Sequence, residues 1–352
     1  PSVCDCCSRV MIVFPDPSEV PAGFGPSVVA IGKFDGVHSG HCAVIGRARV
    51  NAAASGARVV VVTFDRNPLA LLRPESCPDS LVSLEQKLRL LADAGVDATL
   101  MLTFDRALAD LGAREFVEHV LVGALGVRIV MVGADFRFGR GGAGDPEVLR
   151  ELGTEFGFEV HIVEDVHEID AGRRVSSTWV RELLVAGDVT GAARLLGRPH
   201  AVRGEVVHRL KRRRALGFPT ADLSPVLEGF LPAEGVYTGW LVDTDLSQDK
   251  ASDPRSIARY FSAISIVKNR TLDDVEVNQV EAHVLDETDL ELYGHTVEIR
   301  FVSRVRADSA PQHIPIGVLV SGHEGAFRRA WLGSDANSRA PARRPTHCLD
   351  PE

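Results

Sequence analysis

Two histidines, His38 and His41, stand three residues apart at the end of the stretch VVAIGKFDGVHSGH, residues 28–41, with only Ser39 and Gly40 between them. Imidazoles so placed can donate to phosphate oxygens while charge builds in phosphoryl or nucleotidyl transfer. Gly32, Gly36 and Gly40 keep the turn thin enough for a ligand to approach the backbone. An apolar run followed by a glycine turn and a helix start makes an anion site, because free N–H groups and the helix dipole face the ligand. The pair could also be half of a metal site, but no nearby Cys or carboxylate cluster completes a tetrahedral set. Phosphate chemistry is the favoured reading.

Two further constellations suit the same chemistry. Residues 133–145 read GADFRFGRGGAGD, where glycines permit close backbone approach, the phenylalanines can stack or pack and the arginines can meet phosphate. Residues 176–181 read SSTWVR, a helix start whose hydroxyls and arginine suit a polyphosphate, with simple helix capping as the alternative.

The elements that must position these residues follow from hydrophobic patterning. Residues 28–31, 58–64, 98–102, 127–132 and 158–163 are short apolar runs of the kind buried strands give. Between them lie helical patterns. One begins near His41, with Val44, Ile45 and Ala48 on its buried side, and others cover residues 83–94 and 114–124 and start at Pro146. Two more helices follow, one through Leu183 and Leu184 and one over residues 187–196. Such alternation predicts an α/β, doubly wound parallel sheet with helices on both faces. The loops after Ile31, Phe64 and Val132 then converge on one crevice at the carboxyl ends of the strands. Around His200 the pattern changes to short β-rich pieces at residues 201–208, 236–242, 263–267, 280–285 and 297–302, which predict a small antiparallel β-barrel. The expected organisation is a tail over 1–25, the α/β domain over 26–186, a connecting helix over 187–199, the barrel over 200–332 and a disordered tail over 333–352.

At 352 residues the chain has room for two cores, and its 45% hydrophobic and 25% charged fractions are those of an ordinary globular protein. A net charge of -9 argues against broad nucleic-acid binding. No apolar run approaches the roughly 20 residues of a membrane span, and the basic-then-apolar pattern of a signal peptide is missing, so the cytoplasm is the expected compartment. Cys4, Cys6 and Cys7 crowd the N-terminal segment while Cys42, Cys77 and Cys348 are scattered, which is no disulfide framework. A metal at the cysteine cluster is the minor reading.

Over residues 28–301 the chain resembles the prokaryotic bifunctional riboflavin kinase/FAD synthetase family. IGKFDGVHSGH, TFDRNP, VGADFRFGRGGAGD and SSTWVREL occur in that family's order and spacing. The resemblance implies an N-terminal nucleotidyltransferase domain of the HxGH type that adenylates FMN, and a C-terminal barrel that phosphorylates riboflavin. By the same resemblance His38 and His41 hold the ATP phosphates, and Ser177, Thr178 and Arg181 grip the triphosphate. Asp135, Phe136 and Arg137 lie on the flavin side, and Gly32, Phe34, Asp35, Gly36 and Asn67 complete the binding crevice. Thr220 and Asp222, in LGFPTADL, would bind Mg²⁺ and ATP, and Glu281, in VEAHVLD, would be the general base for the riboflavin 5′-hydroxyl.

The sequence also departs from the family pattern. Lys33 replaces Asn, Asn67 replaces His, and Asp222 replaces the Asn of the PTAN motif. A glycine-containing segment over the kinase nucleotide becomes His208-Arg209-Leu210-Lys211-Arg212-Arg213-Arg214, and a G-x-N-P-T-like segment becomes Val267-Lys268-Asn269-Arg270-Thr271. Side chains this bulky do not reach glycine's positive φ cheaply. The expectation is therefore an FAD synthetase with an impaired kinase, using ATP, Mg²⁺ and flavins, with homo-oligomerisation left open. A solvated surface is as good a reading of the Lys211, Arg212, Arg213, Arg214 run as a phosphate or nucleic-acid role. Competing readings are a paralogue that nucleotidylates another flavin-like phosphate and a non-catalytic flavin-binding protein.

Overall fold

The computed structural model describes residues 11–168, 172–208, 220–245, 258–270, 276–285 and 290–307. The cysteines at positions 4, 6, 7 and 348, the Lys211, Arg212, Arg213, Arg214 run and the expected tail over 333–352 lie outside the described residues. Packing divides the chain into two compact units, with the main division between Val175 and Ser176.

The first unit is a six-stranded, wholly parallel sheet. Its strands are β1 (Ile12–Phe14), β2 (Ser27–Ile31), β3 (Arg58–Phe64), β4 (Ala98–Leu102), β5 (Val127–Gly133) and β6 (Glu159–Val163), in the order β1-β4-β3-β2-β5-β6. Every residue of β2 and β4 is buried, which is why these strands read as short, mainly apolar runs. Alternate side chains feed two cores. Val29, Ile31, Val60 and Val62 join Phe116, Leu121 and Leu149 on one face. Val28, Ala30, Val59 and Val61 join Ile45, Ala48 and Ala52 on the other.

The helices of this unit are α1 (Ser39–Ser55), α2 (Leu69–Leu72), α3 (Leu84–Asp93), α4 (Arg106–Asp110), α5 (Ala113–Phe116) and α6 (Pro146–Phe156). Where one helix is expected over 114–124, α5 passes into a π-helical segment, Val117–Ala124, that turns Val117, Val120 and Leu121 inward. The expected tail also contributes structure, because β1 pairs in parallel with β4 at the sheet edge. Ile12 and Val13 are 49% and 40% exposed, so no buried run announces this strand. From β2 the chain steps outward through β3 to β4 and then crosses to β5, so strand order reverses between β2 and β5. A crevice at the carboxyl ends is expected at that switch point.

The second unit opens with α7 (Ser177–Ala186) and α8 (Val189–Leu196). Its antiparallel strands are β7 (His200–Glu205), β8 (Thr220–Asp222), β9 (Gly235–Asp243), β10 (Arg259–Arg270), β11 (Glu276–Val284) and β12 (Thr296–Arg306), ordered β7-β12-β9-β10-β11-β8. The two outermost strands are joined just beyond their paired lengths. Val206 bridges Leu223, Val207 N–H donates to the Asp222 carbonyl at 2.8 Å, and Ser224 N–H donates to the Glu205 carbonyl at 2.8 Å. The sheet therefore curls until its edges meet, as a barrel requires. Tyr237, Ile264, Ala282 and Ala221 line up across β9, β10, β11 and β8 on one buried face. Among the described residues no helix is long and apolar enough to cross a membrane.

Candidate active sites

In the first unit the loop between β2 and α1 carries Gly32, Phe34, Asp35, Gly36 and His38, and His41 lies in the first turn of α1. Two non-glycine residues of this loop hold a left-handed backbone, Phe34 at φ 49° and Val37 at φ 38°. Such conformations cost about 1–3 kcal/mol each and persist only where packing over-determines them. Here both side chains are 2% exposed in the apolar core, which supplies that packing. Phe34 is thus a core anchor that fixes the backbone of this loop. Gly32 N–H donates to the Val62 carbonyl at 3.1 Å, and Thr63 Oγ1 donates to the Lys33 carbonyl at 3.1 Å, so β3 holds the loop from its side.

His38 is the N-cap of α1, and its Nδ1 accepts the His41 backbone N–H at 3.4 Å. That contact leaves the proton on Nε2, from which the ring can donate. The two imidazoles stack, with centroids 3.7 Å apart and planes 19° from parallel. Gly40 makes the stack possible, because a Cβ there would lie 3.1 Å from the His38 ring.

After β3, Asn67 is a local capping residue whose Oδ1 accepts the Leu69 N–H at 3.1 Å, keeping its NH₂ group as the donor side. After β5, Asp135 accepts from Arg174 at 2.9 Å, and Arg174 also pairs with Asp165 at 3.1 Å. The hydrogen bond to Asp135 is the main reason the Arg174 guanidinium holds its proton more tightly than usual. Phe136 stacks on Phe138 at 5.4 Å, and Arg137 lies 3.7 Å from Asp145. The sequence-expected residues of this unit therefore fall on the loops that follow β2, β3 and β5.

Lys87 and Arg174 escape the sequence reading. Lys87, on α3, sends its Nζ to the Phe64 carbonyl at the end of β3, 2.7 Å away. Burial lowers its pKa, and attraction from Asp35 and Asp65 opposes that shift. A lysine in a helical EQKL string looks like any solvated lysine, and only the fold brings it to the strand ends. Arg174 has no periodic or motif signal either.

Ser177, Thr178 and Arg181 lie on α7, in the second unit. Ser176 is the N-cap, its Oγ accepting the Trp179 N–H at 3.2 Å, so the capping role falls on the first hydroxyl of the string. Thr220, Asp222 and Glu281 lie on neighbouring barrel strands, with Asp222 directly opposite Glu281. Glu281 is 5% exposed and accepts a hydrogen bond from the Gln279 amide. A hydroxyl and a carboxylate are hard oxygen donors that suit Mg²⁺, which takes few protein ligands and completes its shell with phosphate and water. Among the described residues no three or more His, Cys, Asp or Glu side chains gather into a metal-holding group.

Known proteins show the same two-part organisation. An FAD synthetase family model matches residues 21–179 and a riboflavin kinase family model matches residues 196–314. The bifunctional riboflavin kinase/FMN adenylyltransferase of Escherichia coli K12 is 35% identical over 279 residues, covering 79% of this chain and 84% of that protein. The protein of that name from Bacillus subtilis is 31% identical over 284 residues, covering 80% and 85%. Its Pseudomonas fluorescens counterpart is 42% identical over 219 residues, covering 62% and 68%. A Streptococcus pneumoniae crystal structure described as a macrolide-efflux protein superposes with a TM-score of 0.77 at 29% identity, covering 90% of this chain and 98% of that one. With both domain models matched in order and relatives aligned over most of their length, this chain belongs to the bifunctional riboflavin kinase/FMN adenylyltransferase family.

Proposed function

We propose that the first unit transfers AMP from ATP to FMN, and that the second phosphorylates riboflavin more slowly than the first consumes FMN. The observation that carries the first reaction is the stacked His38/His41 pair at the start of α1, beside the switch point of the sheet. An oxygen of the FMN phosphate bonds to the α-phosphorus of ATP, and the bond from that phosphorus to the bridging oxygen breaks, releasing pyrophosphate. The nucleophile is already an anion, so positioning and charge neutralisation carry the rate. His38, protonated at Nε2, donates to the oxygens on which charge builds, and the N-terminus of α1 adds its N–H groups. Asp135, Phe136, Arg137 and Asn67 line the flavin side.

In the second reaction Glu281 takes the proton of the riboflavin 5′-hydroxyl as its oxygen bonds to the γ-phosphorus and ADP leaves. Mg²⁺ bound with the nucleotide would offset phosphate charge, with Thr220 and Asp222 as its protein ligands. Slower phosphorylation is supported by Asp222, which faces Glu281 across the ladder and sets a second carboxylate beside the base. The replacement of a glycine segment by Arg209, Lys211, Arg212, Arg213 and Arg214 points the same way. ATP and free flavins are cytoplasmic metabolites, which suits that compartment.

The test supplies purified protein with ATP and Mg²⁺ and either riboflavin or FMN, then separates the flavins by chromatography. FAD should form readily from FMN, with slower FMN and FAD formation from riboflavin. Absence of FAD from the FMN reaction would overturn the adenylyltransferase assignment, and absence of phosphorylated riboflavin would overturn the kinase assignment.

A further inference from the structure

His283 lies two residues beyond Glu281 on β11, directly opposite Thr220 of β8, while Glu281 is opposite Asp222. Residues two apart on a strand share a face. Thr220, Asp222, Glu281 and His283 therefore leave the ladder together, opposite the face of Ala221 and Ala282. Thr220 Oγ1 lies 3.1 Å from His283 Nδ1. The other ring nitrogen, Nε2, lies 4.0 Å from Glu281 Oε2, and the His283 and Glu281 side chains are 11% and 7% exposed. One imidazole thus spans the gap between the hydroxyl and the carboxylate.

The direction of the Thr220 contact matters. A threonine hydroxyl has one proton and two lone pairs. If the imidazole donates to it, one lone pair is consumed. If the hydroxyl donates to the imidazole, both lone pairs remain for a cation or for phosphate-bound donors. The negative charge of Glu281, 4.0 Å away, favours a proton on the nitrogen that faces it, Nε2, and with it Nδ1 as the acceptor. The same side chain then sets the Thr220 rotor and steadies the carboxylate.

We propose that His283 is a positioning residue for riboflavin phosphorylation, aiming the Thr220 lone pairs at the nucleotide's cation and holding Glu281 in line for the 5′-hydroxyl. The proposal rests on the kinase assignment above. It adds a second-strand support that is distinct from the ligands and the base themselves.

Three variants of the full chain test it, because Asn offers a polar atom near the position of Nδ1 and Gln offers one near Nε2. His283→Ala should lower kcat for riboflavin phosphorylation by about tenfold, the effect of losing one buried hydrogen bond and a nearby electrostatic contact. It should also raise the Mg²⁺ concentration needed for half-maximal rate, with the KM for riboflavin unchanged. His283→Asn should restore the Mg²⁺ dependence and His283→Gln should not. FAD formation from FMN serves as the folding control and should stay at the wild-type rate in all three. Independently of turnover, ¹⁵N imidazole spectra of the metal-free protein, assigned by the loss of signal in His283→Asn, should show the Nε2–H tautomer. An Nδ1–H tautomer, or a His283→Ala protein with wild-type kcat and Mg²⁺ response, overturns the proposal while the kinase assignment stands. Equal losses in Asn and Gln accompanied by a lowered Tm would mark a merely structural histidine and overturn it as well. A wild-type protein that phosphorylates no riboflavin overturns the kinase assignment and, with it, this role.

Discussion

Gly40 is where the smallest chemical change should separate activity from stability. It is an interior first-turn position of α1, and Ala is favoured over Gly in a helix by about 1 kcal/mol. The added methyl would nonetheless sit 3.1 Å from the His38 Cε1 and Nδ1 atoms, tighter than ordinary contact. The ring must turn or shift, and both its stack on His41 and its acceptance of the His41 N–H depend on its present pose. Gly40→Ala should therefore leave the Tm near the wild-type value. It should lower kcat for FAD formation by roughly tenfold to a hundredfold, the scale at which small misplacements act in positioned reactions. Steady-state kinetics beside a thermal melt decide this, and an unchanged kcat would remove the ring pose from the mechanism. The glycine turn and the helix start at the histidines were legible in sequence from residue types and spacing, and the structure puts His38 at the N-cap of α1. The stack itself was not legible, since it depends on the left-handed turns at Phe34 and Val37, which have no compositional signal in residues that rarely adopt them.

The strand runs at β2, β3, β4 and β5 were legible because strands buried over most of their length are dominated by apolar residues, with few polar ones such as Thr99 and Arg128 among them. Two features lacked that signature. β1 is short, mostly exposed and placed by pairing with β4, and the π-helical segment Val117–Ala124 departs from the helical period that a pattern search assumes. The role of α3 was equally hidden, since it reaches the strand ends through one residue, Lys87. Its ammonium satisfies the Phe64 carbonyl and sits under the attraction of Asp35, in the loop between β2 and α1, and Asp65, after β3. Lys87→Met keeps the stem and removes the donor, leaving the Phe64 carbonyl without its ammonium partner and taking away one attraction from Asp35 and Asp65. Removal of a hydrogen bond from a charged group costs about 1.5–3 kcal/mol. Denaturant unfolding followed by far-UV circular dichroism should show a loss of that size, with slower FAD formation from a loosened loop. A stability equal to wild type would show that α3 contributes nothing through this side chain.

At the scale of the molecule, the second unit holds a buried histidine that makes its stability sensitive to acid. His200, at the start of β7, is 1% exposed, and its Nε2 donates to the Phe230 carbonyl at 2.6 Å. Burial is the main reason its pKa is pushed down from 6.5 to about 4, with the Phe230 carbonyl opposing. The folded unit thus keeps this ring neutral where the unfolded chain takes up a proton. Stability is therefore fully present above pH 6.5, falls as pH drops from 6.5 towards 4, and levels off below that. A displacement of this size is worth about 3 kcal/mol at one proton per 1.36 kcal/mol per pH unit. None of the chain's three tryptophans falls within residues 11–175, and Trp179 and Trp240 belong to the second unit, so tryptophan fluorescence does not report on the described part of the first unit. Urea midpoints read by this signal should decline between pH 6.5 and 4 by more than carboxylate titration alone produces. His200→Gln retains a donor for the Phe230 carbonyl and removes the titration. It should flatten that decline while lowering the midpoint at pH 7 only modestly. If the variant and the wild type lose stability in parallel as the pH falls, the acid sensitivity of the second unit lies in other groups.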